Sequence, residues 1–232
     1  MIILFACATF ASTLVGGLVA LKLKDKLHLI LGFSAGAVIG VAFFDLLPES
    51  LELGGRYFNH GTVTTFVALG FLVYLILDRL VALHAHGQRS ILGTGSLSIH
   101  SFLDGVAIGL AFQVSAAIGG IVAVAVLVHD FSDGINTVNV ILKNKGEERR
   151  AFQWLIVDAV APVAGAASTL LFRLPDQGLT IMLALFSGFF LYIGASDLIP
   201  ESHHAHPKFL TTVMTLLGAT VLYAAIHLAN LY

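Results

Sequence analysis

The chain has one cysteine, Cys7, in 232 residues. That rules out an internal disulfide and any CxxC metal or redox pair, leaving histidines and carboxylates as the strong metal ligands available. Charge is scarce too. Twelve Lys+Arg and fourteen Asp+Glu make up 11% of the chain, against about 25% in ordinary soluble domains. A soluble enzyme, a nucleic-acid-binding surface and a disordered scaffold all need more surface charge than this. No GxxxxGK[ST] phosphate loop occurs, so an ATP-driven pump has no visible engine. No stretch reads as a soluble domain or a long linker.

What the chain has instead is apolar length: 57% of it is hydrophobic and its mean hydropathy is +0.92. A helix crossing a bilayer needs about 20 mostly apolar residues. Eight stretches qualify, at 2 to 21, 27 to 47, 62 to 83, 91 to 112, 116 to 142, 151 to 172, 179 to 199 and 209 to 231. A transmembrane barrel would show segments of about 10 alternating residues, whereas runs such as Phe66 to Leu77 are continuously apolar. The expected fold is therefore an all-α integral membrane bundle of eight helices, one transmembrane domain over residues 1–232.

The basic residues sort by connector. Lys22, Lys24 and Lys26 follow span one; Arg79 and Arg89 follow span three; Lys143, Lys145, Arg149 and Arg150 follow span five; Lys208 follows span seven. Ten of the twelve thus lie on one face, with Arg56 and Arg173 on the other. The positive-inside rule then puts both termini outside the cytoplasm. No basic n-region precedes the first span, so it is not expected to be a cleaved signal. Gly32, Gly36 and Gly40 on span two, and Gly105 and Gly109 on span four, allow close helix approach.

Six aspartates fall within the spans: Asp45, Asp104, Asp130, Asp133, Asp158 and Asp197. Each costs about 2.5 to 3.5 kcal/mol on insertion scales, and almost no Lys or Arg lies at that depth to pair with them, Arg79 with Asp78 at a span end being the nearest pairing. Span four reads His100-Ser101-Phe102-Leu103-Asp104-Gly105 and span five His129-Asp130-Phe131-Ser132-Asp133-Gly134, both HxxxDG. Residues i and i+4 share a helix face, so each motif stacks an imidazole over a carboxylate. Two such stripes facing each other suit a borderline divalent ion such as zinc or ferrous iron. Asp104, Asp130, Asp133 and an inward-facing Asp158 would carry four negative charges, which two divalent cations neutralise. A lone membrane-depth His or Asp could instead serve an inter-helix hydrogen bond, an alternative that stays open for Asp158 above all.

A second duplication reads Asp45-Leu-Leu-Pro48-Glu49-Ser50 on span two and Asp197-Leu-Ile-Pro200-Glu201-Ser202 on span seven. Spans two and seven run in opposite directions, as do spans four and five. The pattern is that of an inverted repeat, with spans 1–3 mirrored by 6–8 around 4–5. The DxxPES motif reads either as helix punctuation by proline or as vestibules, Asp45 with Glu49 at the entrance and Asp197 with Glu201 at the exit. His203, His204 and His206 follow span seven, and His84 and His86 follow span three, as candidate ion-receiving clusters. His227 is expected to make a core hydrogen bond.

With HxxxDG in span four, HDxxDG in span five and an LPE-type end to span two, the chain resembles the ZIP family of zinc and iron transport proteins over essentially its whole length. The resemblance implies that His100, Asp104, His129 and Asp133 hold one metal, and that Ser101, Asp104, Asp130 and Asp133, with Asp158 from span six, surround a second. Family members usually have Glu where Asp104 and Asp133 stand, Asn at 101 and Pro at 132, and many carry a longer histidine-rich loop than His84 and His86 supply. It further implies zinc or another divalent metal as cargo and no cofactor, import into the cytoplasm across the plasma (inner) membrane, homodimers and elevator-like alternating access. No catalytic role and no nucleic-acid partner are expected. The competing functions are a membrane-embedded zinc-dependent hydrolase and a proton-coupled exporter using the same site.

Overall fold

In a bilayer every backbone N–H and C=O must be satisfied within the protein, so long apolar segments become helices. The computed structural model describes residues 1–20, 27–84, 89–143, 147–203 and 209–229, with no strand among them. Helix α1 is Ile2–Ala20. Helix α2 begins as Leu27–Val41, passes through a π turn at Ala42–Leu46 and continues as Leu47–Gly54. Next come α3, His60–His84; α4, Arg89–Val114; α5, Ala116–Lys143; and α6, Glu148–Ser168, which ends in a 3-10 turn at Thr169–Leu171. Helix α7 is Asp176–Tyr192, a π turn at Ile193–Leu198 and then Ile199–His203, and α8 is Phe209–Ala229. All eight are long and apolar enough to cross a membrane. The protein is an all-α, multi-pass integral membrane bundle.

The punctuation reading of DxxPES is overturned, since α2 and α7 run past their prolines. Pro48 and Pro200 lack the N–H that an α-helix would use one turn back. Each is preceded by a π turn closed by an i to i−5 bond, Leu47 N–H to Ala42 C=O in α2 and Ile199 N–H to Gly194 C=O in α7. Widening the helix by one residue lets it absorb the proline and continue.

The packing obeys one permutation: α1 exchanges with α6, α2 with α7, α3 with α8, and α4 with α5. Thus α1 on α5 is matched by α6 on α4, α2 on α8 by α7 on α3, α2 on α5 by α7 on α4, and α3 on α4 by α8 on α5. Helices exchanged in this way run in opposite directions, so this is the expected inverted repeat. Two four-helix groups result, α1/α4/α5/α6 and α2/α3/α7/α8. The largest apolar core lies where α2 and α7 meet α4 and α5, built on Val38, Leu46, Ile108, Val126, Leu183 and Phe186.

Within each group the crossings are made by reciprocal glycines. A Cβ on Gly16 would overlap the Phe131 carbonyl, and one on Gly134 the Thr13 carbonyl, where α1 crosses α5. The mirrored crossing of α6 and α4 sets Gly165 on the Phe102 carbonyl and Gly105 on that of Pro162. Likewise Gly36 meets Thr215 and Gly218 meets Phe33 between α2 and α8, and Gly188 meets Val67 and Gly70 meets Leu185 between α7 and α3. In all four crossings each glycine rests on the carbonyl three residues before its partner glycine. Helices approach this closely in a membrane only through residues without side chains.

Replacing Gly36 with alanine forces backbone apart and should destabilise the folded protein by about 1–3 kcal/mol or more. Gly95→Ala, where a Cβ meets nothing within 4 Å, should be neutral or slightly stabilising, since alanine is the better helix former. Thermal unfolding of the two purified variants checks this, and equal melting temperatures would refute it.

Candidate metal centre

Helices α4 and α5 lie side by side and antiparallel at the centre of the bundle, and the two HxxxDG stripes face each other across that contact. His100 Nε2 lies 3.2 Å from Asp104 Oδ2 on its own helix and 3.4 Å from Asp133 Oδ2 on α5. His129 Nε2 lies 3.2 Å from Asp104 Oδ2 and 3.8 Å from Asp133 Oδ2. Each of the four residues offers one ligand atom within 4.8 Å of all the others, and all four are buried. The remaining ring nitrogen of His129, Nδ1, is 3.1 Å from the Ala125 carbonyl and donates to it, which turns Nε2 toward the carboxylates.

These atoms satisfy one another only in part: the His129 Nε2 to Asp104 Oδ2 contact is a hydrogen bond. His100 Nε2, Asp133 Oδ2 and both oxygens of Asp130 are buried with no hydrogen bond of good geometry, an expensive condition for polar atoms in a low-dielectric interior. Asp130 stands beside the quartet, its Oδ1 4.0 Å from His129 Nε2. Among the described residues, no Lys or Arg forms an ion pair with any of these aspartates. Two imidazole nitrogens and two carboxylate oxygens converging this closely could hold a borderline divalent cation such as zinc.

Asp158 enters from α6 and is fully buried. Ser101 donates to its Oδ1 at 2.8 Å and Thr137 to its Oδ2 at 2.8 Å. Ser101 and Asp158 thus sit together, joined by hydrogen bonds. Thr137 was missed in the sequence, although it continues the 129, 133, 137 stripe on α5 by one further turn. Aromatic rings wall the centre, with Tyr74 edge-on to His100 at 5.9 Å between centroids and Phe190 edge-on to His129 at 5.8 Å. Ser132, one residue before Asp133, is bonded to Ser34 of α2 at 2.8 Å, which ties this stretch of α5 to the other four-helix group.

The candidate entrance and exit residues are not members of the quartet. Asp45 and Asp197 occupy the two π turns, Asp45 buried with Oδ2 unpartnered and Asp197 half-buried. Glu49 follows Asp45 by one turn and is half-buried, while Glu201 near the end of α7 is exposed. His203 directs Nδ1 to the Ile199 carbonyl at 2.9 Å and Nε2 to Thr212 Oγ1 at 3.4 Å, so it also ties α7 to α8. His204, His206 and His86 lie outside the described residues, and His84 ends α3.

Two smaller expectations are corrected. Asp78 accepts the Tyr192 hydroxyl at 3.0 Å in place of the expected pairing with Arg79, since adjacent residues on a helix point about 100° apart. His227 is exposed on the bundle surface and stacks on Tyr223 with 6.1 Å between centroids, because α8 packs on one side only.

Known proteins share this chain's pattern. The zinc transporter ZupT of Shigella dysenteriae serotype 1 (strain Sd197) is 24% identical over 241 residues, covering 95% of this chain and 92% of the relative. The ZupT of Corynebacterium aurimucosum is 25% identical over 245 residues, covering 94% and 92%. The zinc transporter ZIP9 of Micropogonias undulatus is 25% identical over 244 residues, covering 79% of each chain. The sequence pattern of the family described as ZIP zinc transporter matches residues 81–225, the stretch that carries both HxxxDG stripes, Asp158 and the second DxxPES. The chain belongs to the ZIP zinc transporter family.

Proposed function

We propose that this protein carries divalent transition-metal ions into the cytoplasm, zinc foremost, with iron, manganese and cadmium as further cargo. The observation that carries the reading is the buried quartet of His100, Asp104, His129 and Asp133, with one ligand atom each inside 4.8 Å. In this reading the quartet holds one ion. A second lies beside it, between Asp130, Asp158 and Ser101, with Asp104 and Asp133 shared. Four aspartates against two divalent cations leave the loaded centre near neutrality, which lowers the cost of moving it through an apolar bundle.

The two four-helix groups support alternating access. All residues of the centre belong to α1/α4/α5/α6, while Asp45, Glu49, Asp197, Glu201 and His203 belong to α2/α3/α7/α8. The loaded group shifts against the other, exposing the centre first toward Asp45 and Glu49, then toward Asp197, Glu201 and the histidines that follow α7. The protein works as a homodimer in the plasma (inner) membrane, one transport unit per chain over residues 1–232, with both termini outside.

In proteoliposomes holding a zinc-sensitive dye, wild-type protein should transport zinc and Asp133→Ala should fall to the protein-free background. Undiminished flux in that variant would remove Asp133 from the ligand set. Lipid or amide turnover with no metal flux would overturn transport itself. Orientation is checked in a Cys7→Ala background: Arg56→Cys should react with a membrane-impermeant maleimide in intact cells, and Arg149→Cys only after permeabilisation. The opposite pattern would reverse the topology and with it the direction of import.

A further inference from the structure

We propose that Thr137 is a positioning residue that sets which divalent ions the second position accepts, by holding the Asp158 carboxylate jointly with Ser101. This rests on the transport reading above. Three helices meet at this carboxylate. Thr137 comes from α5, one turn beyond Asp133, Ser101 from α4 and Asp158 from α6, and all three are buried to 1% exposure or less. Each Asp158 oxygen accepts one hydroxyl proton at 2.8 Å, from Ser101 and Thr137 respectively. The Ser101 hydroxyl also lies 3.1 Å from the Leu97 carbonyl, so its one proton is shared between two acceptors. Among the described residues Thr137 has no such second acceptor, and it is the firmer tether.

The contrast with Asp130 gives the tether its meaning. Asp130 is equally buried and both its oxygens lack a hydrogen-bond partner, so it is an uncommitted oxygen ligand. A carboxylate that already accepts two hydroxyl hydrogen bonds has its oxygens fixed in direction and part of its electron density committed. It is therefore a weaker and less mobile ligand. The oxygen side of the centre thus has one free and one restrained carboxylate. Ions that seek many oxygen ligands, such as manganese, lose more from that restraint than zinc, which is satisfied by fewer ligands. The hydroxyl of Thr137 biases the centre toward zinc.

Flux of zinc and of manganese, each supplied alone to proteoliposomes, tests this. Thr137→Val keeps the shape and removes the hydroxyl. It should raise the manganese-to-zinc ratio of kcat/KM by about three- to tenfold, the effect of one hydrogen bond of ordinary net strength, mainly through a lower KM for manganese. Thr137→Ser should restore the wild-type ratio. If the hydroxyl only stabilises the fold, Thr137→Val will lower the melting temperature and leave the ratio unchanged, which overturns the proposal. Should Thr137→Val not be recovered folded, Thr137→Ala removes the same hydroxyl and is read by the same ratio, an unchanged value again overturning it. Wild-type protein that moves neither ion defeats the transport reading and this proposal together. Wild-type flux with a ratio that ignores the Thr137 hydroxyl defeats this proposal alone.

Discussion

The structure depends on a shortage of positive charge at membrane depth. Asp45, Asp104, Asp130, Asp133 and Asp158 are all buried, and among the described residues none has a lysine or arginine partner. Burying a carboxylate without compensation is among the most costly acts a fold can perform. The chain does it repeatedly and concentrates four of the five in one place. Among the described residues two histidines are the only side chains at the centre able to bear positive charge there, and hydroxyls restrain one carboxylate. What is left over is a strong, directed demand for a cation from outside the chain.

The inverted repeat shows how a short sequence builds such a place. One three-helix pattern, used twice in opposite directions, supplies two π turns with their aspartates and two pairs of glycine crossings. The central helices α4 and α5 exchange under the same permutation, so each HxxxDG stripe meets the other across the approximate symmetry axis. A site on that axis is related in the same way to both faces of the membrane. The symmetry is broken at the side chains: Asp158 on α6 has no aspartate counterpart on α1, and among the described residues the Ser34–Ser132 bond joins α2 to α5 without an equivalent between α7 and α4.

Much of this was legible from residue order. Continuous apolar runs located all eight helices to within a few residues, apart from the ends of α2 and α7. HxxxDG put histidine over aspartate because helical spacing alone decides that. The π turns were not legible, because proline usually ends a helix and nothing local announces the extra residue that lets it continue. Thr137 escaped because a threonine in an apolar run has no charge to call attention to it, and its partner is on another helix. Glycines at 36 and 105 stood out through their spacing with neighbouring glycines. Gly16, Gly134, Gly165 and Gly218 did not, since their significance lies in which carbonyl they cover and only the assembled bundle shows that.

The reciprocal glycines have a consequence for how such a protein can change over time. Because the crossings within each group rest on backbone against backbone, the placement of α4 and α5 owes little to the size of the side chains at the centre. Aspartate or the longer glutamate can stand at 104 and 133, and serine can stand at 101 and 132, without moving the helices that present them. Architecture and ligand chemistry are held by different residues. The inner lining is thus free to explore new ions while the eight glycines stay fixed, and drift in cargo preference should be far easier than drift in shape.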